Sequence, residues 1–192
     1  AEMKEVDSAL SPFNKQSIIT AINNNQKTSL NKKFTEVFNL AEKISRETDG
    51  AFDITVAPLV NEWGFGFKKG VDPNKHAIDS LRQIVGYQKV ALKDGKIVKQ
   101  DPRINLDCSG VAKGYGSDCV ANLLRRHGIE NFMVEIGGEV VTSGINPDRV
   151  PWRIGVTKPV DDPTLQGGEL QTVLNVTDKA MATSGNYRNF YY

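Results

Sequence analysis

Apolar positions recur at helical spacing near both ends of the first fifty residues. Met3, Val6 and Leu10 share one face before Ser11-Pro12 interrupts it. Phe34, Val37, Phe38, Ala41 and Ile44 form a longer stripe that Asp49-Gly50 ends, because glycine supplies the positive φ that commonly stops a helix. Both stretches predict helices, and Ala51 to Val56 then reads as the start of a strand. Asp72-Pro73 offers a cap and a proline suited to a first turn, so Ile78, Leu81, Ile84 and Val85 predict a third helix running to Gly86.

The pattern then shortens to the strand period. Val90 to Leu92 and Ile97-Val98 flank Lys93-Asp94-Gly95-Lys96, a hairpin signal, since Asp-Gly suits the turn that strand twist favours. Ile104 to Leu106 alternates as a short strand, passes a turn at Ser109-Gly110 and emerges as a helix carrying Val120, Leu123 and Leu124 to Gly128. Strands are expected at Phe132 to Ile136, Val140-Val141, Trp152 to Val156 and Leu170 to Val176, and Asn186 to Tyr192 reads as a strand cut short. The class that results is α+β, with a largely antiparallel sheet packed with helices. No repeat, low-complexity tract or shift of composition marks a linker, so one continuous domain over residues 1–192 is expected.

Composition narrows the function classes. Apolar residues at 39% and charged residues at 24% are those of a chain that folds, and Lys+Arg 24 against Asp+Glu 23 leaves no basic field to attract nucleic acid. Cys108 and Cys119 are too few for a disulfide framework, and with His76 and His127 they make no zinc spacing. No apolar run approaches the roughly 20 residues of a membrane span.

Chemistry concentrates in four places. Asp107-Cys108-Ser109-Gly110-Val111-Ala112-Lys113-Gly114 puts a carboxylate at a strand end, small residues in a turn and a lysine at a helix start. Unpaired N–H groups and partial positive charge suit that start to a phosphate, although a capped helix with a solvated Lys113 fits the spacing equally well. Gly137-Gly138 reads as a tight turn that lets a ligand or another segment approach, with Glu135 and Glu139 as either surface charges or site groups. Ala182-Thr183-Ser184-Gly185-Asn186 has the hydroxyls and glycine to wrap an anion, or to make an ordinary turn. Trp63-Gly64-Phe65-Gly66-Phe67 would make either a stacking wall for a planar ring or a plain apolar corner.

Several of these segments, taken in order, resemble the FAD:protein FMN transferase (ApbE) family. The likeness rests on Leu10-Ser11-Pro12-Phe13 with Ser17, Gly50 to Val60 with its Ala51-Phe52-Asp53, Trp63-Gly64-Phe65-Gly66, Leu106 to Tyr115, Glu135-Ile136-Gly137-Gly138-Glu139, Trp152-Arg153-Ile154-Gly155 and Ala182 to Tyr187. It implies an ApbE-like (T-fold-like) architecture and magnesium-dependent transfer of FMN from FAD to a threonine of an acceptor flavoprotein, such as a membrane redox subunit, with AMP released. It further implies that Phe13, Ala51, Phe52, Asp53, Asp107 and Lys113 contact FAD, that Gly110 offers its carbonyl to Mg2+, and that Lys113 serves catalysis beside the diphosphate. Cys108 then packs and is no nucleophile. The family pattern also makes the chain a piece, short of an earlier Met-Gly-Thr strand and of a later segment with a histidine and the metal-binding Asp and Thr. A periplasmic or cell-envelope location, with membrane attachment only through a lipid anchor outside this chain, belongs to the same resemblance. The alternatives beside that implied transfer are an FAD-binding module or an FAD pyrophosphatase without protein flavinylation, and a third is a purely structural α+β domain.

Overall fold

The computed structural model describes residues 1–66, 74–158 and 169–185 of the chain. Two compact units divide it, Ala1–Ala112 and Lys113–Tyr192. The division falls inside a helix, which is why no linker composition announces it.

The first unit contains α1 (Glu2–Leu10), α2 (Ile18–Asn23), α3 (Lys32–Glu47), α4 (Ala57–Glu62), α5 (Lys75–Arg82), the hairpin β1 (Val90–Lys93) and β2 (Lys96–Lys99), and the start of α6 (Ser109–Arg126). The expected stripes are buried: Val6, Ala9 and Leu10 on α1, and Phe34, Val37, Phe38 and Ala41 on α3. Phe34 and Phe38 stack with centroids 6.3 Å apart, and each buried side chain of this size contributes about 1.5–3 kcal/mol. Side chains fix the helix starts, since Ser17 accepts from Thr20 N and Asn31 Oδ1 accepts from Phe34 N at 2.9 Å. In the hairpin, Asp94 and Gly95 take φ of 49° and 69°, the pair of positive values that the expected two-residue turn requires.

Three sequence expectations change here. Ala51 to Val56 is not a strand: Asp53 Oδ1 accepts from both the amide and the hydroxyl of Thr55, at 2.8 and 2.7 Å, which curls the chain locally, and α4 follows with Pro58 in its first turn. The third helix is capped by Asn74 and closes at Arg82, so Ile84 and Val85 lie beyond it; the expected cap, Asp72-Pro73, lies outside the described residues. Ile104 to Leu106 joins no sheet. Its Leu106 pairs with a side chain, donating its amide to Asn23 Oδ1 at 2.7 Å while its carbonyl accepts from Asn23 Nδ2 at 3.0 Å.

The second unit holds the rest of α6 with β3 (Phe132–Ile136), β4 (Glu139–Ser143), β5 (Trp152–Thr157), β6 (Leu170–Val176) and β7 (Ala180–Met181). The strands form sheets ordered β3-β4-β7 and β5-β6, and every described strand pair is antiparallel, as the α+β reading required. Ala121, Phe132, Val134 and Val141 make a buried core between α6 and the first of these sheets, with Val120, Leu124 and Ile136 against it. The two-residue β7 is too short to leave a periodic trace. The expected strand at Asn186 to Tyr192 lies outside the described residues.

Candidate functional site

In the first unit a cavity of about 340 Å³ opens between the end of α1, α2, α4 and the chain leading into α6. Phe13 and Phe65 stand in its lining, 79% and 48% exposed, with Asn23, Asn61, Asn105 and Asp107 among the polar groups. Large exposed aromatic rings beside amide groups suit a flat heteroaromatic ligand, since the rings offer stacking area and the amides offer both donors and acceptors. Phe13 thus meets Phe65 and Gly66 of the aromatic and glycine run at one cavity, while Trp63 is not in its lining and Phe67 lies outside the described residues. Gly66 lets the Asn61 side chain lie against it, since a Cβ there would fall 2.0 Å from Asn61 Oδ1 and displace that amide. The asparagines were not anticipated; they sit at helix ends and in turns, where asparagine is common and carries no periodic signal.

The junction into α6 is built by backbone bonds. Asp107 N donates to Ile54 O at 2.7 Å, and Asp107 Oδ1 accepts from Ser109 N at 2.7 Å, so the carboxylate sits at the positive end of α6. The helix begins at Ser109 and not after a Ser109-Gly110 turn, which puts Gly110 in its first turn and Lys113 in its second. A Cβ on Gly110 would meet Phe52 Cε2 at 3.2 Å, so the glycine admits the Phe52 ring. Burial, with the Asp107 charge beside it, pushes the Cys108 thiol up to about 12, in keeping with a packing role.

Ala51 is exposed and Phe52 half-buried. The Asp53 carboxylate turns to the protein: besides the two Thr55 bonds, its Oδ2 accepts from Tyr87 N at 2.7 Å, and Thr55 Oγ1 accepts from Gly86 N at 2.8 Å. One side chain therefore ties the segment before α4 to the one that follows α5.

In the second unit Lys113 Nζ lies 2.9 Å from Glu139 Oε1 and donates to Gly137 O at 3.1 Å. The lysine is thus ion-paired while about half of its side chain stays exposed. Gly137 and Gly138, at φ of 58° and 94°, form the tight turn from β3 to β4. A separate cavity of about 850 Å³ is lined by Glu135, Gly138, Arg153, Thr183, Ser184 and Gly185 among others. Two more sequence candidates, the Gly-Gly turn with Glu135 and the hydroxyl-bearing run 182–185, share this lining. Lys113 is not part of it.

The fit to a metal is poor among the described residues. No three His, Cys, Asp or Glu side chains gather there as ligands, and Gly110, in the first turn of α6, adds a single main-chain carbonyl. One carbonyl does not make a magnesium site.

A model of the ApbE family matches residues 1–192. The chain belongs to the ApbE family. Among ApbE relatives, the FAD:protein FMN transferase of Vibrio cholerae is 37% identical over 98% of this chain, and that of Escherichia coli K12 is 32% identical over 96%. The chain spans 57% and 54% of those two proteins' own lengths. The solved flavin transferase ApbE of Vibrio cholerae superposes with a TM-score of 0.86 at 36% identity, over 100% of this chain and 62% of that one. The flavinyl transferase ApbE of Pseudomonas stutzeri, in its apo form, gives 0.83 at 28% identity, over 100% of this chain and 61% of that one. The fold is therefore that of the ApbE flavin transferases.

Proposed function

We propose that the protein, as a single transferase domain that this chain represents in part, moves FMN from FAD onto a threonine of an acceptor flavoprotein. The observation that carries this reading is the match to ApbE flavin transferases along the entire chain. In the reaction the threonine oxygen forms a bond to the FMN-side phosphorus, the bond from that phosphorus to the bridging oxygen breaks, and AMP leaves with that oxygen while the hydroxyl gives up its proton. Negative charge grows on the leaving phosphate, and by the family likeness the Lys113 ammonium is a group suited to meet it. Phe13, with Ala51, Phe52, Asp53 and Asp107, would face FAD; for Phe13 and Asp107 the support is their common cavity, and for the 51–53 segment it is the family likeness.

Magnesium belongs to the reading through the family likeness. Gly110 would offer one carbonyl, and the other ligands would come from outside the described residues. The acceptor is read as a membrane redox subunit, and the setting as the periplasmic or cell-envelope side of a bacterial membrane, on the same likeness.

The test is single-turnover FMN transfer by the full-length protein at saturating FAD. Loss of one charge-assisted contact in Lys113→Ala removes about 2–4 kcal/mol of transition-state stabilisation, a slowing of about 30- to 1000-fold. Transfer at the wild-type rate would remove Lys113 from the chemical step. AMP release without flavin on the acceptor would replace transfer by FAD hydrolysis.

A further inference from the structure

The surroundings of Lys113 are more elaborate than a surface ion pair requires. Its partner Glu139 is the less exposed member, with 14% of its side chain exposed against 49% for the lysine. Glu139 Oε1 takes the ammonium, while Oε2 is buried and has no hydrogen-bond partner. Leaving a buried carboxylate oxygen unmet is costly, so the arrangement costs stability that two exposed residues would keep. The backbone of residue 139 is anchored as well: the hydroxyl of Ser117, itself fully buried, reaches Glu139 O at 3.1 Å and Lys113 O at 3.2 Å.

The turn before Glu139 completes the clamp. Gly137 O accepts from the ammonium, and a Cβ on Gly137 would fall 2.9 Å from Lys113 Cδ. The lysine stem therefore lies against a bare glycine backbone at φ 58°, a conformation that favours glycine in any case. Of the three ammonium donors, two are directed into the protein, at Glu139 Oε1 and Gly137 O. A flexible four-carbon stem is thus fixed before any ligand arrives, and fixing it beforehand lowers the entropy cost of using it.

The geometry points to Glu139 as a positioning residue that, together with Gly137, holds Lys113 in the orientation used in phosphoryl transfer. This rests on the reading of Lys113 given above. Glu139 does not touch the reacting atoms. It acts through the lysine, and because it is an anion its removal does not weaken attraction of FAD to the site. The rate falls and the affinity stays, which a merely structural glutamate would not produce.

The experiment compares Glu139→Gln, Gly137→Ala, Lys113→Ala and the double variant Lys113→Ala/Glu139→Gln in the full-length protein. Single-turnover transfer, FAD affinity and melting temperature are read for each. Glu139→Gln is expected to slow transfer about 10-fold or more with FAD affinity within about 2-fold of wild type. Gly137→Ala, which displaces the lysine stem and leaves the glutamate in place, gives a slowing of the same kind. In the Lys113→Ala background the glutamine change has no further effect, because coupled residues are not additive. If Lys113→Ala is slow while Glu139→Gln runs at the wild-type rate, the positioning role is overturned and the reading of Lys113 stands. An equal slowing by Glu139→Gln with and without Lys113 also overturns it, since the glutamate then acts by another route. If Lys113→Ala itself transfers at the wild-type rate, both fall.

Discussion

Asp53 gives the sharpest separation between holding the fold and holding a ligand. Its carboxylate accepts from Thr55 N, Thr55 Oγ1 and Tyr87 N at 2.7–2.8 Å, and Thr55 is 1% exposed. Asp53→Ala strips the acceptor from all of these donors at once. A hydrogen bond to a charged group contributes about 1.5–3 kcal/mol, and an unmet buried donor costs about 1–3. Water recovers part of this because Asp53 is half-buried, so a net loss of about 3 kcal/mol follows. For a protein of this size that is a fall of about 6–12 °C in melting temperature. Asp53→Asn keeps one oxygen for Thr55 but turns an NH2 toward Tyr87 N, and should lose about half as much. The assay is thermal unfolding by circular dichroism, beside an FAD titration of the same variants. An alanine variant melting within about 2 °C of wild type would refute the argument. Loss of FAD affinity without loss of stability would show that the carboxylate serves the ligand.

Two further expectations test the packing. Cys108, with its thiol pushed up to about 12, holds only about one thiolate in several thousand at pH 8.5, so iodoacetamide should leave it unlabelled in the native protein and label it after unfolding, as read by peptide mass. Labelling of folded protein within minutes would contradict this. Gly144→Ala puts a Cβ 2.1 Å from Asn131 Oδ1 and 2.9 Å from Glu130 O at φ 59°, and should cost about 2–3 kcal/mol in denaturant unfolding. Gly95→Ala, at φ 69° but with open space around it, should cost only about 1 kcal/mol.

What could be read from the sequence followed from periodicity. The stripes of α1 and α3 and the Asp94-Gly95 hairpin stand where their patterns put them, because burial of one face and a turn with two positive φ values leave direct traces. The strand expected at 51–56 failed for a local reason: Asp53 bonds to Thr55 two residues on, and such a side-chain turn competes with a ladder without disturbing the apolar alternation of Phe52 and Ile54. The six-residue α2 and α4 are too short to show a repeat. At the candidate site, Phe65 and Asp107 were legible as residue types in suggestive company, and Phe13 only through the family resemblance. The Lys113–Glu139 pair was not, because residues 26 apart in sequence meet only once β3 and β4 have turned back on α6. Glu139 could be named beforehand only as a surface charge or a site group.

The pairing of Asn23 with Leu106 bears on how this fold tolerates change in its sequence. Both bonds run from the side chain at 23 to the main chain at 106, so nothing in the polar arrangement depends on the identity of residue 106 beyond its possession of an amide hydrogen. Two positions 83 apart are thus fastened together without either recording the other in its choice of residue. Across descendants of this sequence, position 23 should remain asparagine, while position 106 drifts among side chains that fill the same apolar space. Correlated substitution would miss the link altogether. A strict constraint at 23 would look, to a comparison of sequences, like an isolated preference on a short helix.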